Sequence, residues 1–145
     1  MKDLKRMVDS TIAGGSAPTR TKIVLEDFRI QSIDQFMREN LHRRLALDEL
    51  AHTVNLSIWR VCHLFRSETG MSPIQYLKSL RLERARELLE TSFLSVREIV
   101  KSIGLDDRSH FVRDFKKVYG ASPTLYRVRF RSALFDRPSD SSKFR

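Results

Sequence analysis

Apolar residues recur at three- and four-residue spacing through most of the chain, and no stretch sustains the period-two alternation of a half-buried strand. Ile30, Ile33, Phe36 and Met37 line one face of a first helix predicted over about 29 to 40. A second helix is predicted over about 47 to 54. Ser57 caps a third that runs to about Thr69, where Gly70 ends it. Pro73 opens a long fourth helix reaching about Thr91. Ser95 caps the fifth, Asp106 or Asp107 caps the sixth, which stops near Gly120, and Pro123 opens the seventh, to about residue 131. Residues 1 to 28, with Gly14, Gly15, Ser16 and Pro18, read as a flexible arm or linker. From Ser132 on, Pro138 and the polar run Ser139 to Lys143 read as a flexible tail. The expected fold class is all-α, with about seven helices.

The same pattern of roughly 26 residues occurs twice. Leu47, Leu50, Ala51, Val54 and Leu56 match Val96, Ile99, Val100, Ile103 and Leu105 at an offset of 49. Past the turn the offset is 50, and Val61, Phe65, Gly70, Ser72, Pro73 and Tyr76 match Phe111, Phe115, Gly120, Ser122, Pro123 and Tyr126. Each copy reads as a helix-turn-helix, the first over about 47 to 70 and the second over about 95 to 120. The long helix over about 73 to 91 links them. At 1.5 Å per residue a helix of about 18 residues is roughly 27 Å long, comparable with the roughly 34 Å between successive major grooves of DNA.

At 100° per residue, Val61, Leu64, Phe65 and Glu68 share one side of the third helix, and its first three members are apolar. Trp59, Cys62, His63 and Arg66 lie opposite. In the sixth helix Phe111, Phe115 and Val118 are expected to turn inward, and Arg108, Ser109, Val112, Arg113 and Lys116 outward. Outward faces of this kind are what recognition helices present to a major groove. The two faces differ chemically, which suits a DNA site with two unlike halves.

Charge points the same way. The formal net charge is +9 over 145 residues, and residues 29 to 131 hold 19 Lys and Arg against 12 Asp and Glu. The excess therefore lies mainly in the helical part, where cations gain by releasing counterions from phosphates. The single cysteine, Cys62, excludes an internal disulfide and a Cys-x-x-Cys knuckle, so a reducing cytoplasm is the expected setting, with the protein associated with the nucleoid. No apolar run is long enough for a membrane span, and the N-terminus lacks the apolar core of a signal peptide. No nucleophile triad, Gly-rich phosphate loop or paired carboxylate stands out, so no enzyme is expected. His42, His52, His63 and His110 show no short His-x-x-x-His spacing, so neither a metal nor another cofactor is expected.

These residues resemble the AraC/XylS family of transcriptional regulators. The similarity runs through Phe65-Arg66, Gly70-Met71-Ser72-Pro73, Tyr76-Leu77, Arg81-Leu82, Ala85, Leu88-Leu89, Val96, Ile99 and Gly104. Its most specific part is the run Ser109 to Lys117 followed by Gly120, Ser122-Pro123 and Tyr126-Arg127. The resemblance implies a C-terminal DNA-binding domain over 29 to 131, with two helix-turn-helix units entering successive major grooves of double-stranded DNA. It also implies activation through recruitment of RNA polymerase. Trp59, Cys62 and His63 would be the base-facing residues of the first head, and Arg108, Ser109, Val112 and Arg113 those of the second. Family members often add an N-terminal effector or dimerisation domain; the chain is either a stand-alone regulator or the C-terminal part of a longer one, and the Gly14 to Pro18 segment favours the latter.

Three departures stand out. Asn55 occupies a turn position where a glycine is common, and Asn tolerates the left-handed conformation. Leu105 stands where the family often carries Phe, which predicts looser packing in the second unit. Cys62 and His63 replace the Arg and Gln types that make bidentate base contacts, shifting discrimination to Arg108 and Arg113.

Each site residue has a plainer alternative. Trp59 could be a core aromatic, Cys62 an inert small side chain and His63 a solvated histidine. Arg66, Lys78 and Lys116 are expected to hold phosphates, against an ordinary solvated face. Arg81 falls within the apolar stripe of the fourth helix, between Ile74, Leu77, Ala85 and Leu88, and needs an acceptor there. It is expected to be structural, bonding carboxylates or helix-end carbonyls between the two heads, as are the core aromatics Phe65, Phe111 and Phe115. At the level of the whole chain, the alternatives are a helical protein-interaction module and a nonspecific nucleoid-binding protein.

Overall fold

The computed structural model describes residues 20 to 136, with side chains from Phe28 onward. Among them lie seven helices and no strand: α1 (Arg20–Glu39), α2 (Leu47–Thr53), α3 (Ile58–Thr69), α4 (Pro73–Thr91), α5 (Val96–Ser102), α6 (Arg108–Tyr119) and α7 (Pro123–Phe135). None of the described helices is long and apolar enough to cross a membrane.

Two boundaries differ from the periodicity. α1 already includes Arg20, the first described residue, rather than beginning near 29, and no glycine or proline interrupts it before Glu39. For the same reason α7 continues to Phe135 rather than ending near 131, the next breaker being Pro138. Residues 20 to 28 of the expected arm and 132 to 135 of the expected tail are therefore helical, and the rest of both, 1 to 19 and 137 to 145, lies outside the described residues.

Serine and aspartate hydroxyl or carboxylate oxygens start the later helices. Ser57 accepts from the Arg60 N–H at 3.2 Å, Ser95 from Glu98 at 3.2 Å and Ser122 from Leu125 at 3.3 Å. Glu98 completes a reciprocal box by accepting the Ser95 N–H at 2.7 Å, and Gln75 does the same for Ser72 at 3.1 Å. α2 has Ala46 at its cap, which has no side-chain acceptor, so only the return half survives: Glu49 accepts the Ala46 N–H at 2.9 Å.

The turns inside both helix-turn-helix copies use one left-handed residue, Asn55 at φ 57° and Gly104 at φ 73°. The next amide then reaches back to close the preceding helix: Leu56 N–H to the Ala51 carbonyl at 3.0 Å, and Leu105 N–H to Val100 at 3.1 Å. Asn55→Ala should therefore lower stability by about 1 kcal/mol, whereas Asn55→Gly should leave it within a few tenths. Urea titration of the two variants checks this, and equal stabilities would mean the turn does not depend on its left-handed residue.

The chain divides into two compact units, Met1–Glu83 and Arg84–Arg145, with the division inside α4. The first unit packs Ile33, Met37 and Leu41 against Leu50, Ala51, Val61, Phe65, Leu77 and Leu80. In the second, Ala85, Leu89, Ile99, Val100, Ile103, Phe111, Phe115 and Ala121 are buried.

The duplication extends beyond the helix-turn-helix. In the first unit the Tyr76 hydroxyl donates to Asp34 at 2.7 Å, and Asp34 also holds Arg38 at 2.9 Å. In the second, the Tyr126 hydroxyl donates to Glu90 at 2.5 Å, and Glu90 holds Arg86 at 2.8 Å. Each tyrosine thus ties the helix after its recognition helix to the helix before the motif. Burial is the leading cause that raises both phenol pKa values above the ordinary tyrosine range, followed by the carboxylate partner.

Candidate nucleic-acid interface

In the first unit, α3 buries Val61, Leu64 and Phe65, and the Phe65 ring meets the edge of Tyr76 at 5.4 Å. Glu68, on the same side of the wheel, is only half-buried. Thr69 completes the inward face instead, its hydroxyl donating to the Phe65 carbonyl at 2.6 Å. The opposite face carries Trp59, 69 % exposed, which removes the core-aromatic alternative. Its ring stacks on His63, with centroids 5.3 Å apart and planes 6° from parallel. The spacing of four residues puts the two rings one turn apart on the same face, so each restricts the other's rotamers. Cys62 beside them is half-buried, and His63 and Arg66 are exposed. Lys78, on α4, is also exposed.

In the second unit, Asp107 is the residue that caps α6, accepting the His110 N–H at 3.0 Å. That backbone bond is the main cause holding its carboxyl below the usual aspartate pKa. Phe111 and Phe115 are buried; Arg108, Ser109, Arg113 and Lys116 are exposed, and Val112 is half-buried. Val118 corrects the wheel: it is 60 % exposed rather than inward. Tyr119, four residues after Phe115, takes the inward place in the last turn, its ring 4.6 Å from Phe115 and 5.9 Å from Tyr126. The corresponding residue of α3, Thr69, is buried too, so this position faces inward in both copies.

Arg81 is half-buried, and its Nη2 donates to the Arg43 carbonyl at 2.7 Å in the connection after α1. The acceptor lies inside the first unit, so the bond is not one between the two heads. Burial lowers the guanidinium pKa below its ordinary value. The apolar stripe of α4 is also turned relative to the expectation, since Ile74 is exposed whereas Leu77 and Leu80 are buried. Arg131, fifty positions on from Arg81, repeats the interaction by donating to the Ser92 carbonyl at 3.3 Å.

One feature of the second unit escapes the wheel of α6. Arg97 and Lys101, four residues apart on α5, line an open cavity of about 310 Å³ with Val100, Leu105, Asp106 and Arg108. The cavity lies beside Leu105, where a larger aromatic would fill space. The spacing of the two cations was visible in the sequence, but the cavity between α5 and α6 was not, because it depends on how the turn sets the two helices.

Residues 50–129 match the helix-turn-helix domain family. The DNA-binding domain of AdpA, solved in complex with a target DNA, superposes with a TM-score of 0.69 at 30 % identity, covering 74 % of this chain and 97 % of that one. The MmsAB operon regulatory protein of Pseudomonas aeruginosa is 40 % identical over 102 residues, which cover 70 % of this chain and 33 % of that protein. The chain belongs to the AraC/XylS family.

Other AraC-type proteins agree. The arabinose operon regulatory protein of Salmonella typhimurium is 32 % identical over 103 residues, 70 % of this chain and 37 % of that one. An AraC-type regulator from Chromobacterium violaceum superposes with a TM-score of 0.69 at 26 % identity, covering 72 % of this chain and 93 % of that one. The chain spans about a third of the length of the curated relatives it matches, and the shared part is the AraC-type double helix-turn-helix domain.

Proposed function

We propose that this AraC-type domain binds duplex DNA sequence-specifically as a transcriptional activator, placing α3 and α6 in successive major grooves. The observation that carries this is the repeated two-sided recognition helix. Each has a buried aromatic on one side (Phe65, Phe115) and an outward stripe on the other, led by the Trp59–His63 stack on α3 and by arginines on α6. α4 has 19 residues, about 28 Å of helix at 1.5 Å per residue, which suits a connector for grooves about 34 Å apart.

The two heads divide the work. Trp59, Cys62 and His63 face the bases of one half-site with a stacked, largely apolar surface suited to thymine methyl groups. Arg108, Ser109, Val112 and Arg113 face the other, where arginine reads guanine through its O6 and N7 acceptors. Arg66, Lys78 and Lys116 hold phosphates. The domain acts on the chromosome by binding rather than by catalysis, and RNA polymerase is the partner through which it activates. An effector or dimerisation domain of the kind the longer relatives have room for would regulate it.

Selection of bound fragments from random DNA, followed by footprinting, tests the reading. Two unlike protected segments about one helical turn apart are expected; protection of a single groove, or equal affinity for random competitor, overturns it. Arg113→Ala should cost about 1 to 3 kcal/mol on the selected site and relax selectivity at one base pair. Unchanged selectivity would remove Arg113 from base readout.

A further inference from the structure

We infer that the cavity between α5 and α6 of the second unit is a phosphate-binding site, and that in the proposed DNA complex it seats a backbone phosphate beside the second half-site. This deepens the proposed function and rests on it for the source of the phosphate. The cavity has about 310 Å³ of space open to solvent, and three of its six lining residues are cations, Arg97, Lys101 and Arg108, against one carboxylate, Asp106. All three cations are exposed, so an incoming anion need not strip a buried charge from a protein partner. Val100 and Leu105 supply an apolar floor, which lowers the local dielectric and strengthens attraction between the cations and a bound anion. Arg97 offers a planar fork suited to phosphate oxygens and Lys101 adds a compact point charge, while Arg108, proposed to face the bases, adds its positive field to the cavity it also lines.

The internal duplication provides a control within the same molecule. At the repeat offset of 49, Arg97 and Lys101 correspond to Asp48 and His52 of α2. At the offset of 50 that holds beyond the turn, Arg108 corresponds to Ile58. The first copy of the motif thus places a carboxylate, an imidazole and an aliphatic chain where the second places three cations. Requirements shared by both copies, such as the turn and the core, cannot explain this difference. The two heads therefore hold DNA unequally: the second grips the backbone through this cavity, and the first lacks the equivalent grip.

The test uses the double variant R97Q/K101Q of the full chain, which leaves the base-facing residues intact, with a thermal melt to verify folding. Duplex affinity is measured against salt for the selected site and for random DNA, and line broadening of inorganic phosphate is followed by phosphorus NMR. If the phosphate comes from DNA, the variant should lose affinity by the same factor on both duplexes. The magnitude of its log–log salt slope should fall by about 1 for each phosphate that is no longer held. If duplex binding is unchanged, or absent already in the wild type, broadening of inorganic phosphate by the wild type but not by the variant assigns the site to a free phosphate group instead. Absence of wild-type duplex binding would by itself sink the proposed function rather than the cavity. Unchanged affinity, slope and phosphate broadening in the variant overturns the inference. D48R/H52K, which grafts the cations onto the first copy, should raise the slope on both duplexes; no rise, together with an unchanged R97Q/K101Q, removes the proposed inequality between the heads.

Discussion

Raising monovalent salt from 50 to 200 mM is expected to weaken duplex binding by about a thousandfold to a hundred-thousandfold, the loss typical of six to ten phosphate contacts. The formal charge of +9 sets the direction, and exposed cations on α3, α4, α5 and α6 set the scale. Arg66, Lys78, Arg97, Lys101 and Lys116 are all exposed, so each can exchange condensed counterions for a phosphate without first being uncovered. In a plot of log K against log salt, the slope should have a magnitude of roughly 5 to 9. A nearly flat line would mean that the positive charge serves solubility alone, and the exposed faces of α3 and α6 would need another explanation. The base contacts proposed for Trp59 and His63 should persist in the intercept, because apolar and stacked contacts release few ions.

Phe115→Ala is expected to destabilise the protein by about 3 to 5 kcal/mol, a large share of the roughly 5 to 15 kcal/mol that holds a domain of this kind folded. Phe115 is 0 % exposed and touches the rings of Phe111, Tyr119 and Tyr126, with centroids 5.7, 4.6 and 5.5 Å away. Removing it leaves three aromatic faces without a neighbour, and these stiff rings collapse poorly into the void. Urea denaturation measures the loss. A change below about 1 kcal/mol, within reach of an ordinary surface substitution, would mean that α6 presents its other side to the core, and the assignment of Arg108 and Arg113 as outward residues would fall with it.

Much of this was legible because local chemistry and global packing agree. The serine caps at Ser57, Ser95 and Ser122 satisfy orphan amides within three residues, and that need exists whatever the rest of the chain does. Asn55 takes the left-handed turn that its glycine counterpart Gly104 takes, as its short polar side chain permits. The inward faces of α3 and α6 follow from periodicity through Phe65 and Phe115. The wheel failed at the last turn of α6, where angle alone could not distinguish Val118 from Tyr119. The same position is inward in the first copy, where the much smaller Thr69 is buried, so the outcome was set by which side of the last turn the following helix covers. It failed again for α4, whose residues serve two packed units; a single apolar stripe cannot describe a helix that is covered differently along its length. The start of α1 was missed because the segment from Arg20 lacks a strong periodic signal, while the absence of a breaker was enough for helix to propagate.

Of the candidate site, residue identities at the outward positions were readable, but their arrangement was not. The parallel stack of Trp59 on His63 depends on rotamers, the acceptor of Arg81 lies 38 positions away at Arg43, and the α5–α6 cavity exists only once the turn at Gly104 has set two helices side by side. By itself the sequence determined the helices, their caps and turns, the duplication and the sign of the charge, since all of these rest on neighbours within a few residues or on sums over composition. Tertiary structure alone decided which distant groups meet, how Arg81 and Arg131 find carbonyls and where three cations surround one space. Those outcomes depend on the relative placement of helices, which no local spacing encodes.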